Sequence, residues 1–90
     1  MDKIGLYLSS LKGKKILVQG LGLNGGGIGV ANFFLKHGFD VTITDLKSEE
    51  VLARSVAEVK SVSDRAKFVL GKHREEDFLQ ADVVVKKDVT

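Results

Sequence analysis

Apolar positions recur along this chain in two rhythms. At the amino end, Ile4, Leu8 and Leu11 stand at i, i+4 and i+7. That spacing puts them on one helical face and predicts a short amphipathic helix over 1–11, with Gly13 as its stop. The next run, Lys15-Ile16-Leu17-Val18-Gln19, is continuous, rich in branched residues and closed by Gly20. Such a run suits a parallel strand buried on both faces. The helical rhythm returns over 28–37, where Ile28, Ala31, Phe34 and Leu35 share a side and Gly38 ends the segment. Residues 41–44 form a second strand, ended by Asp45. Ser48 is a candidate cap for a third helix with Glu49 and Glu50 in its first turn and Leu52, Val56 and Val59 on its apolar face. Residues 66–70 read as a third strand closed by Gly71. Glu75, Glu76 and Asp77 open a short helix through Leu79, and 83–85 are a fourth strand.

Strands alternating with helices imply βαβ units and a parallel sheet. The expected fold is an α/β, Rossmann-like three-layer αβα domain with strand order 3-2-1-4, preceded by a short N-terminal helix; its crossovers are right-handed. A parallel sheet prefers helices on both faces. A chain that stops just after its fourth strand, at Lys86-Lys87-Asp88-Val89-Thr90, therefore reads as a fragment of a longer protein.

Composition narrows the chemistry. Ninety residues make one domain, able to bury only about 60–65% of its unfolded surface. Fourteen Lys and Arg against twelve Asp and Glu leave +2, too small an excess to signal a nucleic-acid partner. Without Cys there are no disulfides, thiolate metal sites or Cys nucleophiles. No apolar run reaches the roughly 18 residues of a membrane span, and residues 1–15 lack the apolar centre of a signal peptide; a cytoplasmic setting is expected. The glycines are the unusual count. Of ten, six fall between positions 20 and 29, and there is no Pro.

That cluster, Gly20-Leu21-Gly22-Leu23-Asn24-Gly25-Gly26-Gly27-Ile28-Gly29, follows a predicted strand and opens a predicted helix. This is the context a G-x-G-x-x-G fingerprint requires. Gly20 turns the chain, Gly22 lets a phosphate approach the backbone, and free N–H groups at the helix start hold the anion. The third motif position is either Gly25 or Gly27; with Gly27 the loop is two residues longer than the tight version. Asp45 ends the second strand 20 residues after Gly25, where a carboxylate can accept from ribose hydroxyls. Together these indicate a nucleotide without saying which one. A nicotinamide dinucleotide is the usual occupant, and Lys47 either meets a ribose phosphate or is solvated.

Further stretches narrow the choice. Gly20 to Leu23, Phe33-Phe34-Leu35 with Gly38, Val41-Thr42-Ile43-Thr44-Asp45, Leu70-Gly71 with His73, Glu76-Asp77-Phe78 and Ala81-Asp82-Val83-Val84-Val85 together resemble the N-terminal domain of the Mur ligases, nearest to the D-glutamate-adding members. The likeness covers about four fifths of the chain. It implies two parts, 1–13 as helix and lead-in and 14–90 as a Rossmann-like UDP-binding domain of a three-domain ligase. It further implies binding of the UDP part of UDP-N-acetylmuramoyl-L-alanine, within an enzyme of peptidoglycan synthesis in the bacterial cytoplasm. ATP and magnesium belong to the full-length ligase, which makes an acyl phosphate that the amine of D-glutamate attacks. No cofactor is expected in this domain, and no catalysis by it alone, since it has no G-x-x-x-x-G-K-[ST] loop.

Carried over by motif, Leu23 and Asn24 with the Gly25, Gly26 and Gly27 amides lie against the diphosphate and uridine. Asp45, Leu46 and Lys47 flank uracil and ribose, and Gly71 to His73 approach the uracil edge. Leu46 replaces a small hydroxyl residue of some members, and Lys87-Asp88-Val89 replaces a Pro-containing turn. The rival reading is an NAD(P)-binding regulatory or sensor module; a third is an interaction module whose site has lapsed.

Other candidates have plainer readings. His73 either meets a ligand, caps the next helix or does neither. His37 sits at a helix C-terminus, with no second ligand nearby for a metal. Glu75, Glu76 and Asp77 suit the helix dipole better than magnesium. Ser9, Ser10 and Ser48 lack a His and Asp arrangement. Lys12, Lys14, Lys15, Lys86 and Lys87 are solvated, and Phe33 and Phe34 are core and near-core.

Overall fold

The computed structural model describes residues 3–21 and 26–86. Eight elements follow in order: α1 (Lys3–Ser10), β1 (Ile16–Gln19), α2 (Gly26–Lys36), β2 (Val41–Asp45), α3 (Ala53–Val62), β3 (Ala66–Leu70), α4 (Glu75–Gln80) and β4 (Val83–Lys86). The four strands form one parallel sheet in the order β3-β2-β1-β4, as the alternation of patterns predicts.

Register divides the side chains between two faces. Val18 pairs with Ile43 and Val85, and Ile43 with Phe68. With a period of two, Ile16, Val18, Val41 and Ile43 point to one face and Leu17, Thr42 and Thr44 to the other. The first face carries the core. There Ile28, Ala31, Phe34 and Leu35 of α2, with Leu52, Val56 and Val59 at and in α3, close over the strands. These are the positions that the helical rhythm picks out, and each fully buried branched or aromatic side chain contributes about 1.5–3 kcal/mol. Phe34 meets Phe39 edge-on at 5.7 Å, which fixes the turn into β2. Leu8 and Leu11 pack against the same cluster; the side chain of Ile4 lies outside the described residues.

The second face is more thinly covered. Leu17 is buried there, but α4 is short and buries none of its own residues. Asp77 and Gln80 of α4 line a small cavity with Leu17, Thr42 and Lys67. The entry to β4 is pinned instead by polar contacts: the Lys15 N–H donates to the Asp82 carboxylate at 2.7 Å, and the Asp82 N–H to the Lys15 carbonyl at 2.9 Å.

Two elements depart from expectation. α3 begins at Ala53, not at Ser48. Ser48 closes a separate turn: its hydroxyl accepts the Val51 N–H at 3.3 Å and its carbonyl the Leu52 N–H at 3.1 Å. Glu49 and Glu50 occupy that exposed turn, so α3 has no acidic residue in its first turn. Leu52, completely buried, is the N-cap residue; anchoring it in the core decides where the helix starts. Phe33, grouped with Phe34 in the sequence reading, is 37% exposed and rests its ring against His37 at 4.8 Å.

Candidate functional site

The carboxyl ends of β1, β2 and β3 bring three connections together at one edge of the sheet, the edge at which open α/β sheets receive ligands. Gly22, Leu23, Asn24 and Gly25 lie outside the described residues. The flanks of their loop are defined. The Gly20 N–H donates to the Thr44 carbonyl at 2.7 Å, carrying the β1–β2 ladder to its end. Leu21 turns into the core and is fully buried. On the far side of the loop, α2 begins with Gly26 and Gly27.

Of the two glycines left open for the third motif position, Gly25 lies outside the described residues and Gly27 lies within them. A Cβ built on Gly27 would overlap the Gly20 carbonyl oxygen and stand 2.7 Å from the Leu21 Cα and 2.8 Å from the Leu21 carbonyl oxygen. No side chain fits between the start of α2 and the end of β1. Gly27 therefore makes the close helix–strand contact of the third glycine in the fingerprint. Counted to Gly27, the connection is two residues longer than the tight form, although α2 itself begins one residue earlier, at Gly26.

Asp45, at the end of β2, is only 4% exposed. Its Oδ2 accepts the Leu21 N–H at 2.9 Å, and its Oδ1 accepts the Lys47 N–H at 2.8 Å. The second bond makes an Asx-type turn that leaves Leu46, 65% exposed, and Lys47 at the surface. The Gly71 N–H is shared between the Asp45 carbonyl and the Lys47 carbonyl, each at 2.9 Å. Gly71 has φ +83°, a left-handed conformation that lets the chain double back after β3. Lys72 then forms an antiparallel bridge with Asp45.

His73 follows at this edge. The buried Thr44 hydroxyl donates to the Lys72 carbonyl at 3.1 Å. With its single proton so used, the hydroxyl accepts from His73 Nδ1 at 2.8 Å. That arrangement places a proton on Nδ1. Phe78 of α4 packs edge-on against the ring at 5.9 Å.

The structure thus gathers Gly26, Gly27, Asp45, Leu46, Lys47, Gly71 and His73 around one edge. Thr44 and Leu21 also belong to this frame, although neither is marked as a site residue by the sequence. Thr44 carries no signal of its role, because its partner lies 29 positions away.

Beyond His73, the acidic start of α4 is tied to Arg74. Its guanidinium donates to Asp77 through Nε at 2.9 Å and Nη2 at 2.8 Å. This hydrogen bonding holds the Asp77 carboxyl below its ordinary value, against the opposing effect of burial, and raises Arg74 in turn. Among the described residues no cluster of three or more His, Asp or Glu could hold a metal ion. None of the described helices is long and apolar enough to cross a membrane. His37 Nδ1 donates to the Phe33 carbonyl at 2.8 Å, closing the end of α2.

Comparison with known proteins adds to this geometry. The family model described as "Mur ligase MurD-like, N-terminal domain" matches residues 14–87. The chain is 51% identical over 81 residues to a UDP-N-acetylmuramoylalanine–D-glutamate ligase of Borreliella afzelii, covering 90% of this chain and 18% of the relative. Proteins of the same name from Roseiflexus sp. and Treponema pallidum are 47% and 38% identical, over 84% and 88% of this chain and 16% and 15% of theirs. The chain spans less than a fifth of the length of these curated relatives. No solved structure matches it.

Proposed function

Since the chain belongs to the MurD-like N-terminal domain family of the Mur ligases, we propose that its carboxyl edge binds the UDP moiety of UDP-N-acetylmuramoyl-L-alanine. The observation that carries this reading is the convergence of three loops at that edge, with the start of α2 pressed against the end of β1 through Gly27. Free N–H groups at the start of a helix favour a diphosphate, since unpaired donors and the helix dipole both attract negative charge. Leu23, Asn24 and the amides of Gly22, Gly25, Gly26 and Gly27 are assigned to the diphosphate and uridine. Leu46 and Lys47 offer an exposed apolar surface and a cation to uracil and ribose, while Gly71 and His73 present the uracil edge with a main-chain turn and a fixed imidazole.

In this reading the domain supplies binding and orientation, not bond formation. A phosphate loop for ATP does not occur in these ninety residues. ATP, magnesium and the amide-forming step, activation of the substrate carboxylate as an acyl phosphate and attack by the amine of D-glutamate, are assigned to the central and C-terminal domains of a full-length ligase. The setting is peptidoglycan synthesis in the bacterial cytoplasm. Substrate held by remote, non-reacting groups gives such an enzyme binding energy to spend on positioning at the reacting centre.

Thermal shift and calorimetric titration with UDP, UDP-N-acetylmuramoyl-L-alanine, NADH and NADPH at matched concentrations test the reading. At ten times its dissociation constant, a UDP ligand stabilises the chain by about 1.4 kcal/mol, raising the melting midpoint by about 6–11 °C. Stabilisation by NADH or NADPH without an effect of the UDP ligands would establish the rival nicotinamide reading instead.

A further inference from the structure

A carboxylate at the end of the second strand is, in dinucleotide-binding sheets, the residue that accepts from ribose. Asp45 stands at that position, and its surroundings give it another task. We propose that Asp45 is a positioning residue of the nucleotide site: it fixes the chain after β1, at Leu21, and the turn after β2 against each other and takes no ribose hydroxyl. The proposal rests on the reading of this edge as a UDP site.

Four observations support it. Asp45 is 4% exposed, so a ribose has almost no surface of it to meet. Both carboxylate oxygens are engaged by main-chain donors at 2.8–2.9 Å. One of these donors belongs to Leu21, which is itself fully buried. Turning the carboxylate toward a hydroxyl would strand the Leu21 N–H without its acceptor, and a buried donor left unmade costs more than one new hydrogen bond returns. A buried carboxylate is in turn tolerable only while it is well bonded. Finally, the Asp45 carbonyl accepts the Gly71 N–H. One residue thus touches the connections after β1, β2 and β3, as a fastener would and a ligand contact need not.

A paired change in protein and ligand separates the two roles. Asp45→Asn keeps size and one acceptor but cannot receive both N–H groups. Affinities of the wild type and this variant for UDP and for 2′,3′-dideoxy-UDP are measured by calorimetry, with folding verified by circular dichroism. A positioning role predicts that Asn weakens both ligands by the same factor, on the order of tenfold. A loss confined to UDP, with dideoxy-UDP bound equally by both proteins, would overturn the proposal. Should the variant not fold, the wild type still decides. The amide proton resonances of Leu21 and Lys47 are followed by NMR on addition of each ligand. The expected result is that both hydrogen bonds persist, with no displacement specific to UDP. Upfield movement with UDP but not with dideoxy-UDP would refute the role. If the wild type binds no UDP at all, the UDP reading fails, while hydrogen exchange at the Leu21 and Lys47 amides, slow in the wild type if Asp45 holds them and fast if it does not, still tests the positioning contacts.

Discussion

Gly27 shows how one absent methyl group can define a site. The space beside it is bounded by main-chain atoms of Gly20 and Leu21, which cannot rotate aside as a side chain could. Gly27→Ala must therefore push α2 away from β1 or deform the loop between them. We expect a loss of about 1–3 kcal/mol in urea unfolding, together with weaker UDP binding. Gly29→Ala is the matched control. It lies in the same helix with no atom within 4 Å of its built Cβ, and it should gain about 0.4–1 kcal/mol from the stiffer unfolded chain. The sequence alone does not mark Gly27 as the glycine pressed against β1, because that depends on where the helix axis meets the strand. The pairing of Thr44 with His73 was hidden for a related reason: a hydroxyl on a strand carries no mark of its distant partner.

The spacing of apolar residues marks α1, α2 and α3 and the apolar runs mark the strands, since burial on one face or on both writes itself into that spacing; α4 is marked by its acidic opening instead. The start of α3 was not evident. Ser48 with Glu49 and Glu50 has the composition of a helix N-terminus, yet tertiary anchoring of Leu52 moves the first helical residue to Ala53. At α4 the acidic opening is real, and it carries a pH dependence. Arg74 hydrogen bonding depresses the Asp77 carboxyl from 3.8. Its contribution is complete above the unfolded carboxylate value and is lost as pH falls through the lower folded value. Wild type should thus be more stable than Asp77→Asn at pH 7, and the gap should close on acidification below about pH 4. Urea midpoints of both proteins at pH 7 and pH 3 check this; a gap that does not change with pH would remove Asp77 from the account.

The sheet is asymmetric between its two faces. One is closed by α2 and α3 around a continuous core. The other leaves Val84 45% and Leu79 77% exposed. Stability should follow that division. Leu52→Ala, at a fully buried site, is expected to cost about 2–5 kcal/mol, whereas Leu79→Lys should stay within about 0.5 kcal/mol of wild type. Denaturant unfolding of the pair is the measurement, and equal costs would mean that α4 packs as a true core element. Strand order follows from the alternation of elements together with the handedness rule. How unevenly the faces are covered did not follow, because it depends on the length of α4 and not on its pattern.

The Gly71 N–H, divided between two carbonyls of the preceding connection, has a consequence for how the molecule breathes. A loop held only by its own turn can open alone. Here the segment after β3 cannot lift without releasing Asp45 and Lys47, and Asp45 in turn holds Leu21. The carboxyl edge should behave as one cooperative opening unit. In native-state hydrogen exchange, the amides of Leu21, Lys47 and Gly71 should report a common opening free energy, and a ligand gripping any one connection should slow exchange at all three.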